Sequence, residues 1–153
     1  MDASKNDERS SVTGLEFLQR AIGSGGLGIG IGLTLGLMLD TVEDGSVSIS
    51  GTPGPEHSNP LGTVHGGYVA TLLDAAMGLA VQTRLDMGVR YATTNLNVTY
   101  VKGVPPNRGP VRSEGRVLNI SRTLALAEAR VTDDDDRLFA HATAIFAISD
   151  RKN

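Results

Sequence analysis

The sequence predicts an α+β domain in which an antiparallel sheet of about six strands packs on one long helix. Three observations predict it. A single long stretch, His65 to about Arg84, carries apolar residues at helical spacing, with Val69, Leu72, Leu73, Ala76, Leu79 and Ala80 on one stripe. Most of the remaining segments alternate with period two instead, which is the strand signal. The chain has 153 residues and 40% hydrophobic content, enough for one core and too little for a second sizeable domain.

Taken in order, the first ten residues, MDASKNDERS, are charged and hydrophilic, unlike a secretory leader. Residues 1–12 therefore read as a disordered lead-in, 13–148 as one domain and 149–153 as a tail. Thr13-Gly14-Leu15-Glu16 has capping-box spacing, and Leu15, Leu18 and Ile22 follow at helical intervals. A short helix stopped by Gly23 to Gly26 is expected there, capping an open edge or end. From Ala21 to Leu39 no charge occurs, a length that raises a membrane span. Yet Leu27, Ile29, Ile31, Leu33, Leu35, Leu37 and Leu39 alternate with small residues, so the stretch reads as strand, and no membrane association is expected. Its glycines precede no helix with a dinucleotide pattern, so a nucleotide loop is not expected.

Strands are expected over Leu33–Val42 and Ser46–Gly51, turned by Glu43-Asp44-Gly45. Pro53, Pro55 and Pro60 forbid regular structure before the long helix. After it, Tyr91–Val101, Val111–Ile120, Thr123–Thr132 and Leu138–Ile148 read as strands, the first two separated by the loop Gly103–Gly109. In the first, Ala92, Leu96, Val98 and Tyr100 alternate with Thr93, Asn95, Asn97 and Thr99. Asp133 to Asp136 lack the spaced ligands and distal Glu of a calcium loop and read as a solvated hairpin turn.

Composition excludes several functions. Lys and Arg number 14 against 17 Asp and Glu, a net charge of −3, which offers no basic surface for a nucleic acid. Cysteine is absent, so there are no disulfides, thiolate nucleophiles or thiolate metal sites, in keeping with a cytoplasmic protein. His57 and His141 have no acidic or histidine partner at metal spacing, and no G-x-S-x-G elbow occurs. Neither a metal nor a bound cofactor is expected. With 19 glycines and only 4% aromatics, the core should be aliphatic, with backbones close where side chains are missing.

The long helix is unusual for a surface helix. Asp74 is the only formally charged side chain between His65 and Thr83, and its wheel neighbours are Gly67, Ala70, Thr71, Gly78 and Val81. Small residues in place of Lys, Glu or Gln point to a buried or interfacial acid. At the helix start, His65-Gly66-Gly67 puts glycines where unpaired N–H groups and the positive dipole end point outward, as an oxyanion site requires.

Asn59-Pro60-Leu61-Gly62-Thr63-Val64-His65-Gly66-Gly67, with Asp74 further along, resembles the N-x-x-G-x-x-H-G-G-x6-D signature of the hotdog-fold acyl-CoA thioesterases of the PaaI-like group. Thr93-Thr94-Asn95-Leu96-Asn97-Val98-Thr99-Tyr100 is similar to that family's central strand, and Gly109-Pro110-Val111 begins its C-terminal part. The resemblance covers about residues 33 to 148. The chain departs from the family at Asp135-Asp136, where a turn glycine is usual, at Ser121-Arg122 in place of Gly-Arg, and in the Gly-rich lead-in from Gly25 to Gly32.

The resemblance implies hydrolysis of an acyl- or aryl-CoA by a homodimer, or by a homotetramer built as a dimer of dimers. It implies that the Gly66 N–H holds the thioester oxygen, and that Asp74 of the opposite subunit activates water or attacks the carbonyl itself. His65 and Asn59 would orient the thioester or the leaving thiolate, and Thr93 would help to place the water. Gly67 would contact substrate, and Arg122, rather than the strand residues Arg112 and Arg116, would meet coenzyme A phosphates. The alternative is a hotdog module that binds acyl-CoA without turnover. A hotdog dehydratase would need a differently placed His and acid pair.

Overall fold

The computed structural model describes residues 12–24 and 28–149. The expected lead-in and tail lie outside the described residues except for Val12 and Ser149, and Ser149 belongs to the last strand rather than to a tail. Helix α1 (Gly14–Gly23) opens on the expected capping box, with the Glu16 N–H donating to Thr13 Oγ1 and the Thr13 N–H donating to Glu16 Oε2. It buries Leu18 completely and lies against the first strand. Of the glycines expected to stop it, Gly25 and Gly26 lie outside the described residues.

The alternating stretch that follows is not strand. It forms a short helix, α2 (Gly30–Thr34), ended by Gly36 in the left-handed region at φ 65°, and strand β1 begins only at Met38 (Met38–Glu43). The Leu37 N–H reaches back to the Gly32 carbonyl at 2.8 Å and the Gly36 N–H to the Leu33 carbonyl at 3.2 Å, the paired bonds of a Schellman ending. Alternation failed as a signal because a strand needs a partner. Strand β2 (Ser46–Gly51) pairs with β1 as far as Met38–Ser50, and Pro53 and Pro55 end it there. Among the described residues nothing remains for residues 33–37 to pair with, and they satisfy their backbone locally. No helix among the described residues is long and apolar enough to cross a membrane.

Strands β3 (Arg90–Tyr100), β4 (Val111–Ile120), β5 (Leu124–Thr132) and β6 (Leu138–Ser149) complete a six-stranded sheet in the order β1-β2-β4-β5-β6-β3, every neighbouring pair antiparallel. The long helix α3 (Gly66–Gln82) crosses one face of it, as expected for a hotdog fold. The sheet makes room through small residues: Ala125, Ala127 and Ala129 on β5, and Ala140, Ala142 and Ala144 on β6, are all buried. At Gly115 on β4 a Cβ would stand 2.5 Å from the Ala76 carbonyl, so the helix backbone rests on the strand backbone there. Thr83 ends α3, its hydroxyl donating to the Ala80 carbonyl at 2.6 Å and accepting the Gly45 N–H at 2.7 Å.

The two edges of the sheet differ. Helix α1 lies on β1, whereas β3 has almost all of its residues exposed. Within one chain the stretch expected to be central is therefore the open edge. Its register against β6 shifts between Thr93 and Asn95, a bulge that breaks the strict alternation read from the sequence. The Thr93 side chain consequently faces α3 along with Val98 and Tyr100, instead of sharing the outer face with Asn97 and Thr99.

The acidic turn is only partly solvated. Asp133 is buried, its Oδ1 accepting the N–H groups of Asp135 and Arg137 at 3.0 Å and its Oδ2 paired with Arg108 at 2.8 Å. Burial pushes its carboxyl up, but the Arg137 and Asp135 N–H groups and Arg108 outweigh that, and the pKa lies below the usual carboxylate range. Asp136 takes the left-handed conformation at φ 57° that a turn glycine would otherwise supply, which Asp tolerates better than most residues.

Candidate active site

Asp74 projects from the middle of α3 and is half-buried. Its Oδ1 accepts a hydrogen bond from Thr93 Oγ1 at 2.8 Å, so helix and bulged strand hold the acid together within one chain. Both residues sit at the rim of a cavity of about 500 Å³ whose wall is otherwise almost entirely apolar. Tyr91 stands beside them, its hydroxyl donating to Gln82 Oε1 at 2.9 Å. Burial, and secondarily the nearby Asp74 carboxylate, push the Tyr91 hydroxyl up to about 12, so it stays protonated throughout the neutral range.

The start of α3 forms a second cluster. His65 is the N-cap, extended at φ −61° and ψ 136°, and its Nδ1 accepts the Gly67 N–H at 2.8 Å. That bond requires an unprotonated Nδ1, leaving the ring proton on Nε2. The Gly66 N–H makes no hydrogen bond among the described residues. Tyr100, at the far end of β3, donates its hydroxyl to the Gly66 carbonyl at 2.8 Å, and its ring would lie 3.1 Å from a Cβ on Gly66. Only glycine fits under that ring without displacing it. Gly67 is exposed at the helix mouth.

Asn59 is engaged in its own loop. Its Oδ1 accepts the N–H groups of Leu61 at 2.9 Å and Thr63 at 3.2 Å, while its Nδ2 donates to Thr63 Oγ1 at 2.8 Å. The residue closes the loop that delivers His65 to the helix. His57, given no chemistry from the sequence, supports the same place. Its carbonyl accepts the His65 N–H at 2.7 Å, and its ring lies 4.7 Å from that of Tyr68. Burial, then the charge of Glu56, raise the Tyr68 pKa.

Arg112 and Arg116 are committed within the chain, to Asp40 at 3.7 Å and to Glu128. The Glu128 carboxyl lies below its ordinary range, chiefly through the Arg116 hydrogen bond. Arg122 is exposed in the β4–β5 turn, which reaches the Thr93 end of the sheet: the Ile148 N–H donates to the Thr123 carbonyl, and Ile148 pairs with Tyr91.

The predicted residues thus form two groups. Asp74 and Thr93 meet at one end of β3, while His65, Gly66, Gly67 and Asn59 gather near the other. Eight residues of helix put Gly66 and Asp74 about 12 Å apart along the axis, and seven residues of strand put Thr93 and Tyr100 about 23 Å apart. Sequence reasoning missed Tyr91 and Tyr100. Tyr100 carried a signal, being the aromatic that ends the Thr93–Tyr100 match, but its contact with Gly66 is made across the fold.

The family model described as the thioesterase superfamily matches residues 61–140. The chain is 34% identical over 122 residues to a protein of Halobacterium salinarum provisionally named an esterase, a match covering 76% of this chain and 78% of that one. It is 32% identical over 79 residues to acyl-coenzyme A thioesterase 13 of Mus musculus, covering 51% of this chain and 54% of the mouse protein, about half of its length. Among solved structures, the PaaI protein of the E. coli phenylacetic acid degradation operon superposes with a TM-score of 0.75 at 12% identity, over 88% of this chain and 92% of that one, a likeness of fold.

Proposed function

The chain belongs to the thioesterase superfamily and is a thioester hydrolase, and we propose that its substrate is an acyl- or aryl-CoA, cleaved to the free acid and coenzyme A. The observation that carries this reading is the acid of Asp74, oriented by Thr93 at the mouth of an apolar cavity, on a chain whose free N–H at Gly66 lies too far away to act on the same carbonyl. Two copies related by a twofold axis that crosses the β3 edge at right angles answer that separation, each site taking Asp74 and Thr93 from one subunit and Gly66 of the partner subunit.

In the proposed reaction the thioester carbonyl oxygen lies against the Gly66 N–H and the positive end of α3. One donor of this kind contributes about 3 kcal/mol as charge develops on oxygen. Asp74 Oδ1 is held by Thr93, which leaves Oδ2 facing the carbonyl carbon. As general base it takes a proton from water while the water oxygen bonds to carbon. The C–S bond then breaks, the oxygen reverts to a carbonyl, and the proton passes from Asp74 to the departing thiolate. Direct attack by Oδ2 would instead form a mixed anhydride that water opens.

His65 fixes the N-terminal turn through its Nδ1 and presents Nε2–H outward to orient the thioester or the leaving sulfur. Asn59 sets the loop geometry behind it, and its remaining amide hydrogen is available to the same group. Gly67 lines the approach, and Arg122 is the coenzyme A phosphate contact. A homodimer or a dimer of dimers in the cytoplasm belongs to the same reading. Release of free thiol from a panel of acyl- and aryl-CoAs by wild type and by Asp74→Ala tests it. Wild type should release thiol and Asp74→Ala should lose at least about a hundredfold in kcat. Binding of acyl-CoA without release would instead mark a binding module, and full activity of Asp74→Ala would remove the acid from the mechanism.

A further inference from the structure

The cavity behind Asp74 carries information about the acyl group. Its inner wall is Ala75, Gly78 and Leu79 of α3, with the rings of Tyr91 and Phe146. Its outer wall is the segment that the sequence misread, from Gly28 to Gly32, followed by Leu37 to Leu39. The lining therefore runs from Thr93 on β3 to Leu39 on β1 and Ile49 on β2, strands from opposite ends of the sheet order. A space that crosses the helix in this way suits an extended chain better than a single ring.

The wall has few polar side-chain groups, and most of their hydrogen-bonding capacity is spent within the chain or on the reaction. Asp74 and Thr93 bond to each other, and the Tyr91 hydroxyl is given to Gln82. A hydroxyl or amine on the acyl group would give up water for few side-chain partners along this wall, and a buried polar group left unpaired costs far more than a missing methylene. On the outer wall, by contrast, apolar surface lacks a partner: Ile29 and Ile31 are 73% and 60% exposed beside the cavity. A hydrocarbon laid along them would remove that surface from water.

Resting on the hydrolase reading above, we infer that the acyl group is an unsubstituted aliphatic chain of medium length, lying between α3 and the segment Gly28–Gly32, with Gly78 setting the length accepted. A Cβ at Gly78 would meet Phe146 at 3.5 Å and Tyr91 at 3.6 Å, ordinary contact distances. A methyl there therefore fits, at a residue that lines the cavity. Ile29 and Ile31 supply the contacts that a longer chain gains and a short one does not.

The test is kcat/KM for saturated acyl-CoAs from acetyl to palmitoyl, with benzoyl-CoA and hydroxybenzoyl-CoA, on wild type, Gly78→Val and Ile31→Gln. Wild type should prefer decanoyl-CoA over hydroxybenzoyl-CoA by at least about tenfold, and Gly78→Val should lower the decanoyl-to-butanoyl ratio by about tenfold. Ile31→Gln, on an exposed segment, should lower the same ratio and serves should Gly78→Val fail to fold. Equal use of hydroxybenzoyl-CoA, or a ratio unmoved in whichever variant folds, overturns the inference. Calorimetry with free decanoic acid separates it from its premise. Binding that Gly78→Val weakens about tenfold supports the chain site even if no thioester is cleaved, whereas thiol release without such binding leaves hydrolysis standing and removes the site.

Discussion

Replacing Gly66 by proline removes one hydrogen-bond donor and sets a ring carbon in the place of its hydrogen. Gly66 is the first residue of α3, where the N–H has no partner within the helix and where proline's fixed φ is already suitable. His65 is extended at ψ 136°, the conformation that a residue before proline prefers. The new Cβ meets the Tyr100 ring at 3.1 Å, and that ring, being 53% exposed, can yield by a few tenths of an ångström. Gly66→Ala carries the same Cβ and keeps the N–H, so the difference between the two variants reports the donor together with the space in front of it, which the proline Cδ takes. Loss of one oxyanion donor costs about 10²–10³ in kcat, or about 2.7–4 kcal/mol. Steady-state thiol release should show Gly66→Pro at least about a hundredfold below Gly66→Ala, with thermal denaturation showing both folded. Equal rates in two folded variants would refute the assignment of this N–H.

Co-expressed Asp74→Ala and Gly66→Pro chains should recover about one quarter of wild-type activity, because half of the dimers are hybrids and each hybrid holds one intact site; no recovery would place the site within a single chain. Asp133 has its pKa below the usual range in the fold, so its stabilisation is present above the unfolded carboxylate value of about 3.9 and is lost as pH falls through the folded one. Asp133→Asn should flatten the acid limb of the plot of Tm against pH and lower Tm at neutral pH; an unchanged acid limb would exclude it. Gly115→Ala would push a methyl into the Ala76 carbonyl and should destabilise by about 1–3 kcal/mol in denaturant unfolding, with little change in the slope.

The parts of the fold that were legible in sequence are those whose signal is local. The capping box at Thr13, the apolar stripe of α3, and the alternation in β4, β5 and β6 each depend on residues within a turn or two of one another. What misled was alternation whose meaning depends on a distant partner. Residues 29–37 alternate as well as any strand here, yet β2 ends opposite Met38, and Gly36, available as a left-handed cap, marked the true ending. The bulge beside Thr93 is illegible for the same reason: it is a property of pairing with β6, and it alone turns Thr93 toward Asp74. The candidate site shows the same division. Asp74, His65 and Gly66 stood out through their place on one helix, while Tyr91 and Tyr100 matter through contacts across the fold.

One operation would meet both unsatisfied demands of this chain. The β3 edge leaves eleven residues of strand without an outer partner, while α1 lies against the opposite edge. Asp74 and the proposed oxyanion donor lie near opposite ends of that same strand, with Thr93 at one and Tyr100, beside Gly66, at the other. Pairing β3 with its own copy in parallel would set like ends together and leave every site half-built. A twofold axis perpendicular to the strand makes the pairing antiparallel, supplies the missing backbone partners, and brings the Thr93 end of each strand to the Tyr100 end of the other. Since Thr93 and Tyr100 must exchange places, the axis has to pass midway between them, beside Leu96 and Asn97, both of which are exposed in the single chain. A proline at Leu96 would remove a pairing N–H at that point. It should release monomers on sizing chromatography and abolish thiol release together, whereas a monomer that still hydrolyses would show that the edge and the chemistry are independent.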